Sequence, residues 1–107
     1  MGAEDVVGRI RQQAAERSLR LTLHAHQEMV QESIAIEEVL EALAGCELLE
    51  EYPDDRRGPS CLVLGYTALE RPLHMVCTTQ QPVLILITVY EPMPPKWPSP
   101  TQRRPIA

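Results

Sequence analysis

At 107 residues, of which 44% are apolar, the chain fits one domain and is too hydrophobic for a disordered segment. Its formal net charge of −5 argues against a protein that coats nucleic acid. No apolar run reaches the roughly 18 residues that a membrane span needs, and Met1 to Arg11 carry no apolar block that reads as a secretory leader.

Ala3 to Leu19 is rich in helix formers, and Val6, Val7, Ile10 and Ala14 make an apolar stripe, so a first helix is expected there. Thr22 is placed to cap a second helix with Leu23, Met29 and Val30 on its face. A third follows Ile34 and Ile36 through Glu37-Glu38-Val39-Leu40-Glu41-Ala42-Leu43, with acids in the first turn, where the helix dipole favours them. Gly45 suits a left-handed stop.

From Cys46 the period changes. Strands are expected over Glu47–Tyr52, Cys61–Thr67, Leu73–Thr79 and Val83–Tyr90, separated by turn-forming segments such as Pro53 to Pro59 and Gln80-Gln81-Pro82. Short links favour antiparallel neighbours. The last strand is apolar on both parities and should lie in the sheet interior. Six prolines between Pro92 and Pro105 predict an extended tail. The expected architecture is α+β. Two to three N-terminal helices (residues 1–45) pack on one face of a four-stranded antiparallel sheet (46–91), and a proline-rich tail (92–107) follows.

Hairpin register gives a candidate site. A turn centred on Gln81 sets His74 opposite Thr88 and Pro72 opposite Tyr90, and a turn centred on Leu69 sets Tyr66 beside Pro72 and Leu64 beside His74. Alternation then gathers Tyr66, His74, Thr88 and Tyr90 on one face. Met75, Cys77, Val83, Ile85, Ile87 and Val89 fall on the other, under the helices. The polar cluster holds hydrogen-bonding groups and an imidazole that titrates near neutrality, and Arg56, Arg57 or Arg71 can neutralise a phosphate. RNA cleavage by the neighbouring 2′-hydroxyl needs only a base, an acid and a cation. The same residues also fit half-buried strand positions with purely local hydrogen bonds.

Charge is unevenly divided. Residues 1–55 hold thirteen acids against four arginines, a balance of −9, and residues 56–107 balance at +4. The basic half suits a phosphate or an acidic partner, and the acids suit solvated helix faces. His24-Ala25-His26 is a poor chelate because its imidazoles point to different helix faces, so no metal or cofactor is expected. Cys46, Cys61 and Cys77, odd in number and without a CxxC pair, suit free core thiols in a reducing cytoplasm. Trp97 can stack on a nucleobase or pin the tail to its own domain.

Several strings together resemble a known family. These are Leu23-His24-Ala25-His26-Gln27-Glu28-Met29, Ile34 with Glu37-Glu38-Val39-Leu40, Glu51-Tyr52-Pro53, Arg56-Arg57-Gly58, Arg71-Pro72-Leu73-His74, Ile87-Thr88-Val89-Tyr90-Glu91-Pro92 and Pro95-Lys96-Trp97. They resemble a bacterial domain-of-unknown-function family encoded beside small zinc-finger proteins of the MqsA antitoxin type. Where many members carry Arg, this chain has Glu28 and Glu32. The resemblance implies distant kinship with RelE, MqsR and BrnT toxins, hence a RelE-like fold and a toxin-like component of a toxin–antitoxin pair. The implied activity is metal-independent endoribonuclease, with His24 as the motif histidine and Thr88 and Tyr90 on the last strand. In that reading His24 or His74 is acid or base, and Arg56, Arg57 or Arg71 holds phosphate. Tyr66 or Tyr90 positions the base, and Lys96 adds a cation. The competing expectation is a non-catalytic module whose sheet face receives the zinc-finger partner or a second copy of the chain.

Overall fold

The computed structural model describes residues 3–94 and 96–102. Pro95, Arg103, Arg104 and Pro105 of the tail lie outside the described residues. The elements are α1 (Ala3–Ala15), β1 (Leu19–Leu21), α2 (Leu23–Glu32), α3 (Ile36–Ala44), β2 (Glu47–Tyr52), β3 (Ser60–Tyr66), β4 (Pro72–Thr78) and β5 (Leu84–Tyr90). The sheet order is β1-β5-β4-β3-β2. Strands β2 to β5 form an antiparallel meander, and β1 adds to β5 in parallel, pairing Leu19 with Leu84 and Leu21 with Leu86. The α+β expectation holds, but the sheet is five-stranded and mixed rather than four-stranded and antiparallel.

The extra strand comes from an early stop to the first helix. Arg17 takes a left-handed backbone (φ 57°). Its N–H bonds the Ala14 carbonyl at 3.0 Å, and the Ser18 N–H bonds that of Gln13 at 2.8 Å. This is a Schellman stop, with arginine where glycine is usual. The helix therefore ends at Ala15, and Leu19–Leu21 is freed to join the sheet. Ser33 ends α2 in the same way (φ 55°), and the two bonds come from Ser33 to Val30 and from Ile34 to Met29. Thr22 caps α2 as expected, its hydroxyl accepting from the Ala25 N–H at 3.0 Å. Glu38 reaches back to the Ala35 N–H at the start of α3. Gly45 ends α3 at φ −125°, not in the left-handed conformation expected of it.

One continuous core lies between the helices and one sheet face. It holds Ile10, Ala25, Val39 and Leu43 from the helices and Cys61, Val63, Leu73, Met75, Leu84, Leu86 and Val89 from the strands. Here Leu84 and Leu86, rather than Val83, Ile85 and Ile87, point to the helices. A bulge in β5 explains the change. Val76 pairs with Thr88 and Cys77 with Leu86, so Ile87 is the inserted residue and parity reverses there. The register is also shifted by two from the expected hairpin, and His74 faces Tyr90 instead of Thr88. The β3–β4 register agrees with expectation, setting Leu64 opposite His74 and Tyr66 opposite Pro72.

Candidate functional site

On the sheet face opposite the helices, lateral neighbours form rows. One row runs Glu50, Leu62, Val76, Thr88, and the next joins Leu64, His74 and Tyr90. At strand rise the rows lie roughly 7 Å apart. The Thr88 row floors a cavity of about 460 Å³ lined by Glu28, Tyr52, Leu62, Val76, Thr88, Tyr90 and Lys96. The His74 row is covered by the tail. These two rows have opposite fates.

His74 is 0% exposed. The Trp97 ring stands edge-on to it at 4.2 Å between centroids, and the Tyr90 ring meets it edge-on at 5.3 Å. Its Nε2 lies 2.6 Å from the Pro100 carbonyl oxygen and its Nδ1 lies 3.2 Å from the Tyr90 hydroxyl. A carbonyl only accepts, so Nε2 carries a proton and donates it to Pro100, while the Tyr90 hydroxyl is the hydrogen-bond partner of Nδ1. An imidazole held on both nitrogens beneath a buried Trp cannot reach a solvent-borne substrate in this conformation.

His24 behaves differently. On α2 its side chain is 66% exposed, and Nε2 lies 3.3 Å from Glu28 Oε1. Glu28 Oε1 also accepts from the Thr88 hydroxyl and from the Val89 N–H at 3.0 Å. One turn on, Glu32 Oε1 accepts from the Glu91 N–H at 2.9 Å. The reason lies in the length of β1. It stops beside Leu86, so the outward N–H groups of Val89 and Glu91 have no strand to bond. Two glutamates at i, i+4 on α2 supply the acceptors. Sequence reasoning saw Glu28 and Glu32 only as missing cations. Their spacing matches alternate strand N–H groups, but that signal is readable only once the helix is known to border β5.

The arginines do not converge on His74. Arg71 sends Nε to Glu91 Oε1 at 2.7 Å and Nη2 to the Glu32 carbonyl at 2.8 Å, and its Nη1 lies 3.3 Å from the Ser33 carbonyl. It closes the C-terminus of α2, where carbonyls lack helical donors. Arg57 chelates Asp55 through Nε and Nη2, both at 3.1 Å. That guanidinium, with the Arg57 N–H and the Ser60 hydroxyl, holds the Asp55 carboxyl well below the usual carboxylate range. Arg56 and Arg57 sit in the β2–β3 loop. Four register positions, roughly 13 Å of strand, separate the Ser60–Thr78 pair beside that loop from Leu64–His74. Tyr66 is exposed at the opposite end. Of the expected site residues, the structure brings Thr88, Tyr90 and Lys96 together at the cavity, and His24 joins them only through Glu28.

The chain matches the family described as a domain of unknown function, DUF4258, over residues 21–91. That match spans well over half of its length. The chain belongs to this family. No curated protein and no solved structure matches it. The DUF4258 match opens at Leu21, the last residue of β1, and closes just after β5, so it takes in α2 with its two glutamates, the whole β2–β5 meander and His74, and leaves α1 and the tail outside.

The three thiols of this DUF4258 chain are buried, and burial raises the pKa of each, that of Cys61 to about 12. Cys61 and Cys77 face each other across β3 and β4 within the core. Iodoacetamide at pH 8 should leave all three unmodified in the folded chain and alkylate all three in denaturant, as read by intact mass. Rapid alkylation of the folded protein would contradict this placement. Among the described residues no cluster of three or more His, Cys, Asp or Glu is arranged to hold a metal ion, and no helix is long and apolar enough to cross a membrane.

Proposed function

We propose that this chain is a toxin-like component of a toxin–antitoxin pair in the cytoplasm, and that it acts there by binding a protein partner. Its partner in this reading is the small zinc-finger protein that the family resemblance implies. The order of elements after α1 supports the RelE-like kinship: a short strand, two helices, then a meander whose last strand returns beside the first. The observation that carries binding over catalysis is the state of His74, sealed under Trp97 and Pro100 while Arg57 and Arg71 are held in ion pairs. Cleavage of RNA needs its base, acid and cation at one open place.

A second reading keeps RNA cleavage. It is favoured by the His24–Glu28 pair at 3.3 Å, whose carboxylate lines the same open cavity as Tyr90 and Lys96. Of Glu28 and His24, one would take the 2′-hydroxyl proton and the other would give a proton to the departing 5′-oxygen, while Lys96 would neutralise phosphate. Co-expression separates the two readings. Expressed with the protein encoded beside it, the chain should co-purify as a stable complex through size exclusion. Alone, it should leave a generic RNA intact, with or without EDTA. Cleavage that survives EDTA and is lost in Lys96→Ala and His24→Ala would establish the second reading. The absence of any complex would overturn the first.

A further inference from the structure

The outer sheet face shows what it is built to hold, because part of this chain already lies on it. Leu62 and Leu64 point away from the helices, yet each is 1% exposed, and neither belongs to the core shared with the helices. Trp97 is 3% exposed, a depth unusual for a residue on a proline-rich tail. Trp97, His74 and Tyr90 form an edge-on aromatic ladder, and the His74 Nε2–H reads the Pro100 carbonyl. The tail lies there folded rather than extended, with the Trp97 backbone N–H bonded to the Met93 carbonyl at 3.1 Å and the Gln102 N–H to that of Ser99 at 3.3 Å. Prolines fix the backbone in such turns, so a proline-bearing turn that offers one aromatic ring and one carbonyl costs little entropy to hold on this face.

We propose that the His74 row is a receptor groove for a turn-forming, proline-bearing peptide with one large aromatic residue. The chain's own tail fills it in this structure, and a protein partner docks by supplying such a segment in the tail's place. This rests on the protein-binding reading and names the chemistry of the partner's contact. Release of the tail would uncover His74 and Leu64 and join their row to the neighbouring cavity, whose rim carries Lys96 from the tail itself. One groove and one cavity would become a continuous surface from Tyr52 to Tyr90.

The test uses the full chain and a fluorescent peptide copying residues 92–102. A tethered tail competes at an effective concentration on the order of millimolar, so the parent should bind the peptide poorly. The full-length Trp97→Ala variant, its groove vacated, should bind at least tenfold tighter, and a peptide with alanine in place of its tryptophan should lose that gain. Equal binding by parent and folded variant overturns the groove. Should Trp97→Ala fail to fold, the parent decides alone, because Trp97 is the only tryptophan in the chain. Excess peptide carrying phenylalanine for tryptophan should displace the tail and shift Trp97 emission to longer wavelength. No shift at millimolar peptide overturns the proposal, as does a shift produced by single-stranded RNA and not by the peptide. No partner protein is present in this experiment, so its failure would leave the pairing to the co-expression result.

Discussion

Replacing Gly65 by alanine should destabilise the protein by about 3 kcal/mol, the upper part of the range for forcing a methyl into a packed interior. Gly65 lies in β3 directly beneath α3. A Cβ built there would stand 1.9 Å from the Ala42 carbonyl oxygen and 2.5 Å from its carbon. These are backbone atoms, so no side-chain rotation relieves the clash. Either α3 must rise from the sheet, opening the core around Val39 and Leu43, or β3 must bend. For a domain of this size the melting midpoint should fall by roughly 12 °C or more. Gly45→Ala is the matched control, because nothing lies within 4 Å of its added Cβ and its φ of −125° suits any residue. That change should be neutral or stabilise by a few tenths of a kcal/mol, roughly, through the unfolded chain. A Gly65→Ala midpoint within a few degrees of the parent would mean that α3 packs less closely than the structure has it.

Gly65 also marks a limit of sequence reading. Its requirement is contact with another element, and a glycine in an apolar strand carries no sign of which neighbour approaches it. Features set by local chemistry were legible. Glu47–Tyr52 is a strand at the expected residues, Thr22 caps α2, and β5 lies in the sheet interior. Features set by the chain's neighbours were not. The strand β1 is three residues long, Leu-Arg-Leu, inside a run of helix formers, and its stop signal is an arginine in a glycine conformation. In β5 the unbroken apolar run has no alternation, so nothing in it tells which parity faces the helices or that Ile87 is a bulge.

The candidate site was half legible for the same reason. Alternation grouped Tyr66, His74, Thr88 and Tyr90 on one face, and they do share it, but across three successive rows with different cover. Whether a histidine on such a face is a site or a core residue depends on what the tail does. Tail docking follows from aromatic and carbonyl contacts between residues more than twenty positions apart. Arg71 and Arg57 looked available in sequence because their partners are a helix terminus and a loop carboxylate, both invisible to a pattern search.

The second large effect belongs to the two glutamates. In Glu28→Ala the Val89 N–H and the Thr88 hydroxyl lose their acceptor, and in Glu32→Ala the Glu91 N–H does. A half-buried donor left without a partner costs about 1–3 kcal/mol. The double variant should therefore lose about 3 kcal/mol. The loss should be local before it is global. Hydrogen exchange at Val89 and Glu91 should rise at least tenfold, since about 1.4 kcal/mol is a factor of ten in an opening equilibrium. Amides in the β3–β4 ladder should keep their ranking. Glu28→Gln separates charge from geometry, because its side-chain oxygen can still accept from Val89 while the attraction to His24 is lost. It should retain most of the protection that Glu28→Ala forfeits. If exchange at Val89 and Glu91 stays unchanged in the double variant, water or a shifted β1 already serves that edge, and α2 is held to the sheet by Ala25, Met29 and the Arg71 and Thr22 hydrogen bonds. If protection falls as expected, acids at these positions are part of the fold, completing a sheet edge that a three-residue strand leaves open.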